Sequence, residues 1–115
     1  MAIRPNRLGL GMARHRDPTL EKMIDEVSVV CDSEAGVAMG LCYAMQEHLE
    51  FPFWGRGVGE EVVVEGVMKG EEAEVVALCR LKGRVYRVRL DDITISRRPN
   101  GAEWIDAYFQ FRGKV

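Results

Sequence analysis

The stretch Glu47–Val67, EHLEFPFWGRGVGEEVVVEGV, changes its hydrophobic period partway along, and that change decides the fold. Before it, apolar residues recur every three or four positions; after it, they alternate. Pro52 marks the boundary, because the residue before a proline avoids the helical region. Phe51, Phe53 and Trp54 bring a large apolar surface to the junction, and Gly55, Gly57 and Gly59 permit tight turning there.

Upstream, DPTLEKMIDEVSVVC (17–31) reads as a helix. Asp17 is a cap, Pro18 suits the first helical position, and Glu21 sits near the positive end of the helix dipole. Leu20, Met23, Ile24, Val27, Val30 and Cys31 form one apolar stripe. Asp32-Ser33 then gives a break and a second cap. A second helix is expected from Glu34 to Glu50, burying Val37, Leu41, Ala44, Met45, His48 and Leu49. Gly36 and Gly40 weaken it unless a neighbour packs closely. Two facing stripes make a helical hairpin.

Downstream, EEVVVEGVMKG (60–70), EAEVVALCRLKG (72–83), RVYRVRL (84–90) and ITIS (93–96) read as strands. The first two join at Gly70-Glu71-Glu72, and Lys82-Gly83 is a tight hairpin signal. Tyr86, Val88 and Leu90 face one way; Val85, Arg87 and Arg89 face the other. Gly66 inside a strand marks a bend or bulge. Four or five short antiparallel strands, one strongly bent, form a partly open barrel. The tail RPNGAEWIDAYFQFRGKV (98–115) reads as a short helix. Its Trp104, Ile105, Tyr108, Phe109 and Phe111 are placed to dock on the hairpin or cover an open barrel edge. The expectation is therefore one α+β domain over 17–115: an N-terminal helical hairpin packed on a small bent antiparallel sheet, with an aromatic C-terminal helix. Residues 1–16, basic and without a continuous apolar run, read as a flexible arm.

Composition narrows the function. The net charge of -2 selects no partner, but its distribution is uneven. Glutamates crowd Glu47 to Glu74, and basic residues crowd Arg80 to Arg98, which suits charge pairing between neighbouring strands. Cys31, Cys42 and Cys79 are odd in number and lack a Cys-x-x-Cys pair, so they read as buried free thiols in a reducing, cytoplasmic setting. No segment is apolar enough to span a membrane.

Catalysis finds little support. Cys42 and His48 are six residues apart on one helix and do not share a face; Ser33 has only His48 or the arm's His15 as a base. No P-loop, nucleophile elbow, His-Glu-x-x-His or Rossmann fingerprint occurs, and His48 reads as a core histidine, so the chain is not expected to be an enzyme. An EF-hand loop is absent. Glu71, Glu72 and Glu74 crowd a turn, where a cation relieves carboxylate repulsion. Arg80, Lys82, Arg84, Arg87 and Arg89 make a basic hairpin able to meet a phosphate backbone, although Tyr86 points away from Arg87 and Arg89.

HLEFPF closing a helix, VGEEVVVEGV opening the sheet, KGRVYRVRLDDI after it and the aromatic tail with Trp104 together resemble the CcbP family of cyanobacterial calcium-binding proteins, over roughly Gly40 to Arg112. The resemblance implies helices on a small antiparallel sheet and calcium, as buffer or sensor ligand, held by surface carboxylates outside any EF-hand. Its candidates here are Glu47 and Glu50 at the helix end, Glu71, Glu72 and Glu74 in the turn, and the pair Asp91-Asp92. The family's turn carries a denser run of acids than this one, and basic strands lie beside it, so a weak site of roughly 10⁻⁴ M or worse is implied. The alternative is a protein- or RNA-interaction module with the same fold that has lost the ion; nucleic acid is the less favoured partner.

Overall fold

The computed structural model describes residues 17–29 and 33–113. The arm at 1–16 and Cys31 thus lie outside the described residues. Two helices come first, α1 (Pro18–Ser28) and α2 (Glu34–His48). Asp17 starts α1, its carboxylate accepting from Thr19 N at 2.8 Å and Leu20 N at 3.3 Å. Ser33 starts α2 by accepting from Gly36 N at 3.0 Å. These bonds satisfy backbone donors that the first turn leaves without partners. Both helices stop short of the sequence expectation, α1 three residues before Cys31 and α2 two before Glu50. They form the expected hairpin. A Cβ on Gly40 would lie only 3.0 Å from Val27 Cβ, so this glycine permits the close approach of α2 to α1.

Five strands follow: β1 (Phe53–Gly57), β2 (Glu60–Lys69), β3 (Val75–Leu81), β4 (Arg84–Arg89) and β5 (Thr94–Ile95). A short 3-10 turn, Leu90–Asp92, separates the last two. They form one antiparallel sheet in the order β4-β3-β2-β1-β5, whose end strands β4 and β5 do not pair. The small antiparallel sheet of the sequence expectation is thus present and is not closed. Gly66 sits at the expected irregularity: Val64 pairs with Cys79 and Gly66 with Leu78, so one residue bulges between them. Lys82 and Gly83 both take positive φ, 52° and 79°, making the tight β3–β4 turn.

β1 corrects the sequence reading. Of the three glycines after the aromatic junction only Gly59, with φ 78°, lies in a turn, the one that joins β1 to β2; Gly55 and Gly57 lie within a strand. They are small because Ile93 folds over them. A Cβ on Gly57 would meet Ile93 Cδ1 at 2.5 Å, and one on Gly55 would meet Ile93 Cγ2 at 3.0 Å. The aromatics also divide. Phe53 is buried and Phe51 half-buried, but Trp54, at 48 % exposure, points to the uncovered face of the sheet. The Phe51–Pro52 peptide is cis.

The helices cover the opposite face. Leu41 and Met45 of α2 pack with Val62, Val64, Val75 and Ala77 of the sheet, all fully buried. Burying each of the larger side chains contributes about 1.5–3 kcal/mol. The stripe on α2 is Ala38, Leu41, Cys42, Met45 and Leu49. His48 is not in it, contrary to expectation. It faces solvent and stacks on Trp104 with ring centroids 5.7 Å apart.

The tail forms α3 (Glu103–Phe111), which docks on the helical hairpin rather than on a barrel edge. Ile105 and Tyr108 are fully buried. Gln110, also buried, donates to Asp17 O at 3.2 Å and accepts from Asp17 N at 2.9 Å, tying the start of α1 to the end of α3. Among the described residues no helix is long and apolar enough to cross a membrane.

Candidate functional site

The Gly70–Glu74 turn between β2 and β3 is closed by two backbone bonds, Gly70 N to Glu74 O and Glu74 N to Glu71 O, each 2.9 Å. A Cβ on Gly70 would approach Val76 Cγ2 to 2.8 Å, so only glycine fits this closure comfortably. Lys69, the last residue of β2, curls into the turn. Its ammonium donates to Gly70 O at 2.9 Å and to Glu72 O. The turn lies beside the start of α2, leaving a cleft of about 310 Å³ lined by Glu34, Glu71, Glu72, Glu74 and Arg112. Glu34 was not foreseen from the sequence. Its place beside the turn depends on how α2 packs, and only its position in an acidic first turn hinted at it.

Carboxylate oxygens are donors that hard divalent cations prefer, and four glutamates line this cleft. Among the described residues, however, no three His, Cys, Asp or Glu side chains close into a ready-made metal cage. Cations of the protein itself already meet part of the charge. Arg89 donates to Glu74 at 3.0 Å and to Asp92 at 3.2 Å. Those two contacts, the Asp92 hydrogen bond foremost, hold its guanidinium pKa above the ordinary arginine value.

Of the seven carboxylates singled out, the structure brings Glu71, Glu72 and Glu74 together. Asp91 is spoken for: its side chain, 8 % exposed, accepts from Arg112 Nε at 2.9 Å and from the Tyr108 hydroxyl at 2.7 Å. The same hydroxyl accepts from Val75 N at 2.9 Å. Burial first, and then the bond to Asp91, push the Tyr108 phenol well above its usual pKa. Asp91 is thus a structural anchor connecting α3 to the sheet, and Asp92 is paired with Arg89. Glu47 and Glu50 lie elsewhere. Thirteen residues separate Glu34 from Glu47 along α2, which at helical rise is about 20 Å. Glu47 stands 3.7 Å from His48, and Glu50 lines a separate cleft of about 300 Å³ with Trp54 and Arg97. The seven do not form one site.

The basic hairpin is largely engaged with its neighbours. Arg80 forms a two-pronged pair with Glu65, the closer contact at 2.6 Å, and Arg56 stands 3.8 Å from Glu61. Arg87 contacts Met68 Sδ at 3.3 Å. Lys82 and Arg84 are exposed at the turn, with no ion pair among the described residues. Acidic and basic halves therefore meet across neighbouring strands. Tyr86 lies on the other face of β4 from Arg87 and Arg89, as alternation requires, and is 44 % exposed.

The nucleophile candidates have structural roles. Cys42 is buried, with Gln46 Nε2 3.8 Å from its sulfur, whereas His48 is exposed. Ser33 is spent on the α2 cap. Burial raises the thiol pKa of Cys42 and of Cys79, which keeps both protonated and unreactive near neutrality.

No family model and no curated protein matches the chain. Two solved structures do. The crystal structure of Anabaena CcbP is 28 % identical over 88 % of this chain and 96 % of its own, with a TM-score of 0.68. A calcium binding protein in its calcium-binding form is 30 % identical over 87 % of this chain and 95 % of its own, with a TM-score of 0.62.

Proposed function

Since the chain belongs to the CcbP family, we propose that it is a calcium-binding protein of non-EF-hand type, acting as a buffer or sensor. The observation that carries this reading is the cleft in which Glu34 meets Glu71, Glu72 and Glu74. These four carboxylates fit calcium by donor chemistry. Glu47, Glu50, Asp91 and Asp92 are left out, the first two by distance and the others because they do not line the cleft, Asp91 being held by Tyr108 and Arg112. The bound ion supplies positive charge that relieves carboxylate repulsion. The protein's part is to hold the turn closed through Gly70 and Glu74 and to fix Glu34 on a capped helix.

Affinity is modest in this reading, roughly 10⁻⁴ M or weaker by ligand count, because Arg89 and Arg112 already offset part of the charge. Buried free thiols at Cys42 and Cys79 suit a reducing compartment such as the cytoplasm. The test is the double variant Glu71→Gln/Glu72→Gln. Calcium raises the melting temperature of the parent, and the variant loses that rise. A variant that responds to calcium as the parent does puts the site elsewhere.

A further inference from the structure

β4 (Arg84–Arg89) is an end strand of the sheet and pairs with β3 on one side only. A free strand edge presents unpaired backbone groups. The tight Lys82-Gly83 turn makes Leu81 and Arg84 the closing hydrogen-bonded pair, and bonded and non-bonded pairs alternate from there. Arg84, Tyr86 and Val88 therefore spend their backbone groups on β3, whereas those of Val85 and Arg87 point out from the edge. Neither of the two makes another backbone hydrogen bond among the described residues. The side chains of this stretch are open as well: Arg84, Val85, Tyr86 and Arg87 are all exposed, and the strand returns to the core only at Val88. The other end strand, β5, is two residues long and offers no comparable edge.

Charge selects the occupant. Arg80 and Arg89 are paired with carboxylates, but Lys82, Arg84 and Arg87 have no ion pair among the described residues. A second copy of the same edge would set these cations against their own kind, which is destabilising. A nucleic acid would meet them with phosphates, but Tyr86 lies on the face of β4 opposite Arg87, so base stacking and phosphate contact do not fall on one side. An extended acidic peptide answers both needs. Its backbone offers donors and acceptors at strand spacing, and its carboxylates take charge-assisted hydrogen bonds from the arginines. We infer that the free edge of β4 is a docking site for an extended acidic segment of another protein, which adds to the sheet beside Arg84–Arg87. Arg84 and Arg87 are three positions apart and on opposite faces, so the added strand carries acids at every third residue, with apolar or small residues between them against Val85 and Tyr86. This surface is independent of the acidic cleft and of calcium.

The experiment titrates the full chain into an end-capped, fluorescein-labelled peptide of repeated Glu-Thr-Val, about nine residues long, and reads fluorescence anisotropy. One control peptide has alternate backbone nitrogens methylated, which keeps the charge and removes strand hydrogen bonds. Another has lysine in place of glutamate. The protein variant is Arg84→Glu/Arg87→Glu, whose substituted side chains are exposed, so its circular dichroism spectrum stays that of the parent. The parent binds the glutamate peptide saturably, and methylation weakens binding about tenfold or more. The variant reverses the preference and binds the lysine peptide instead. No saturable binding of the glutamate peptide overturns the inference. Equal binding of the methylated peptide also overturns it, because attraction of charge alone then suffices, and this comparison decides even if the variant fails to fold. An unchanged preference in a folded variant places the contact elsewhere and overturns it too. Oligothymidylate that binds the parent more tightly than the glutamate peptide and displaces it assigns the edge to nucleic acid. A dimer of the parent in ultracentrifugation that Val85→Pro abolishes assigns it to a second copy. Either result overturns the inference.

Discussion

Tyr108→Phe removes one oxygen from the centre of the molecule and leaves the ring's packing unchanged. That oxygen joins three elements: it accepts from Val75 N at 2.9 Å at the start of β3, and donates to Asp91 at 2.7 Å after β4, from its own place on α3. Tyr108 and Val75 are both fully buried, so water cannot replace either bond. An orphaned buried N–H costs about 1–3 kcal/mol, and losing a donor to a carboxylate about 1.5–3 kcal/mol. Asp91 keeps Arg112, which argues for the lower end of the second range. The sum is roughly 3 kcal/mol. For a chain of this size that lowers the melting temperature by about 12 °C. Urea unfolding followed by far-ultraviolet circular dichroism measures it, with an unchanged m-value reporting that the unfolded state is unaffected. A loss below about 1 kcal/mol would refute the reasoning, because it would mean that these groups find other partners.

Two glycines with positive φ separate strain from collision. Gly101 has φ 85°, and a Cβ there would lie 2.2 Å from His48 O, whereas Gly83 has φ 79° and open space around it. Gly101→Ala therefore costs about 3 kcal/mol or more and Gly83→Ala only about 1 kcal/mol, a difference that thermal denaturation resolves. Alkaline pH destabilises the fold. The raised pKa values of Cys42, Cys79 and Tyr108 favour their neutral forms in the native state. Their contribution is complete below the unfolded-state values, near 9 for the thiols and 10 for the phenol, and is lost as pH rises past them. Stability is flat up to about pH 8.5 and falls beyond it in urea midpoints; a rise between pH 9 and 11 contradicts the assignment. In the native protein Cys42 and Cys79 resist a thiol reagent at neutral pH, as peptide mapping by mass spectrometry reads directly.

Local chemistry made most elements legible in the sequence. Asp17-Pro18 and Ser33 started helices as caps do, Lys82-Gly83 turned a hairpin, and Gly66 marked the bulge. What escaped depended on distant partners. FWGRG looked like a turn because alternate glycines usually mean one; here they make room for Ile93, some forty residues on. His48 matched the helical period, yet α3 arrives on that side with Trp104, and the imidazole stacks on its rim instead of entering the core. The site divided in the same way. Glu71, Glu72 and Glu74 were visible because they share one turn. Glu34 belonged with them only after α2 was packed. Asp91 is as acidic as any of them, but no sequence pattern announces that a tyrosine and an arginine from α3 will hold it.

The central claim, that this fold still binds calcium, is tested most directly by isothermal calorimetry of the chelator-stripped protein with calcium, using magnesium as the control. Saturable calcium binding at sub-millimolar to millimolar concentration, with magnesium much weaker and the heat lost in Glu71→Gln/Glu72→Gln, is the result predicted. No heat and no shift in melting temperature at millimolar calcium would contradict the claim and leave the acidic cleft offset by the protein's own Arg89 and Arg112.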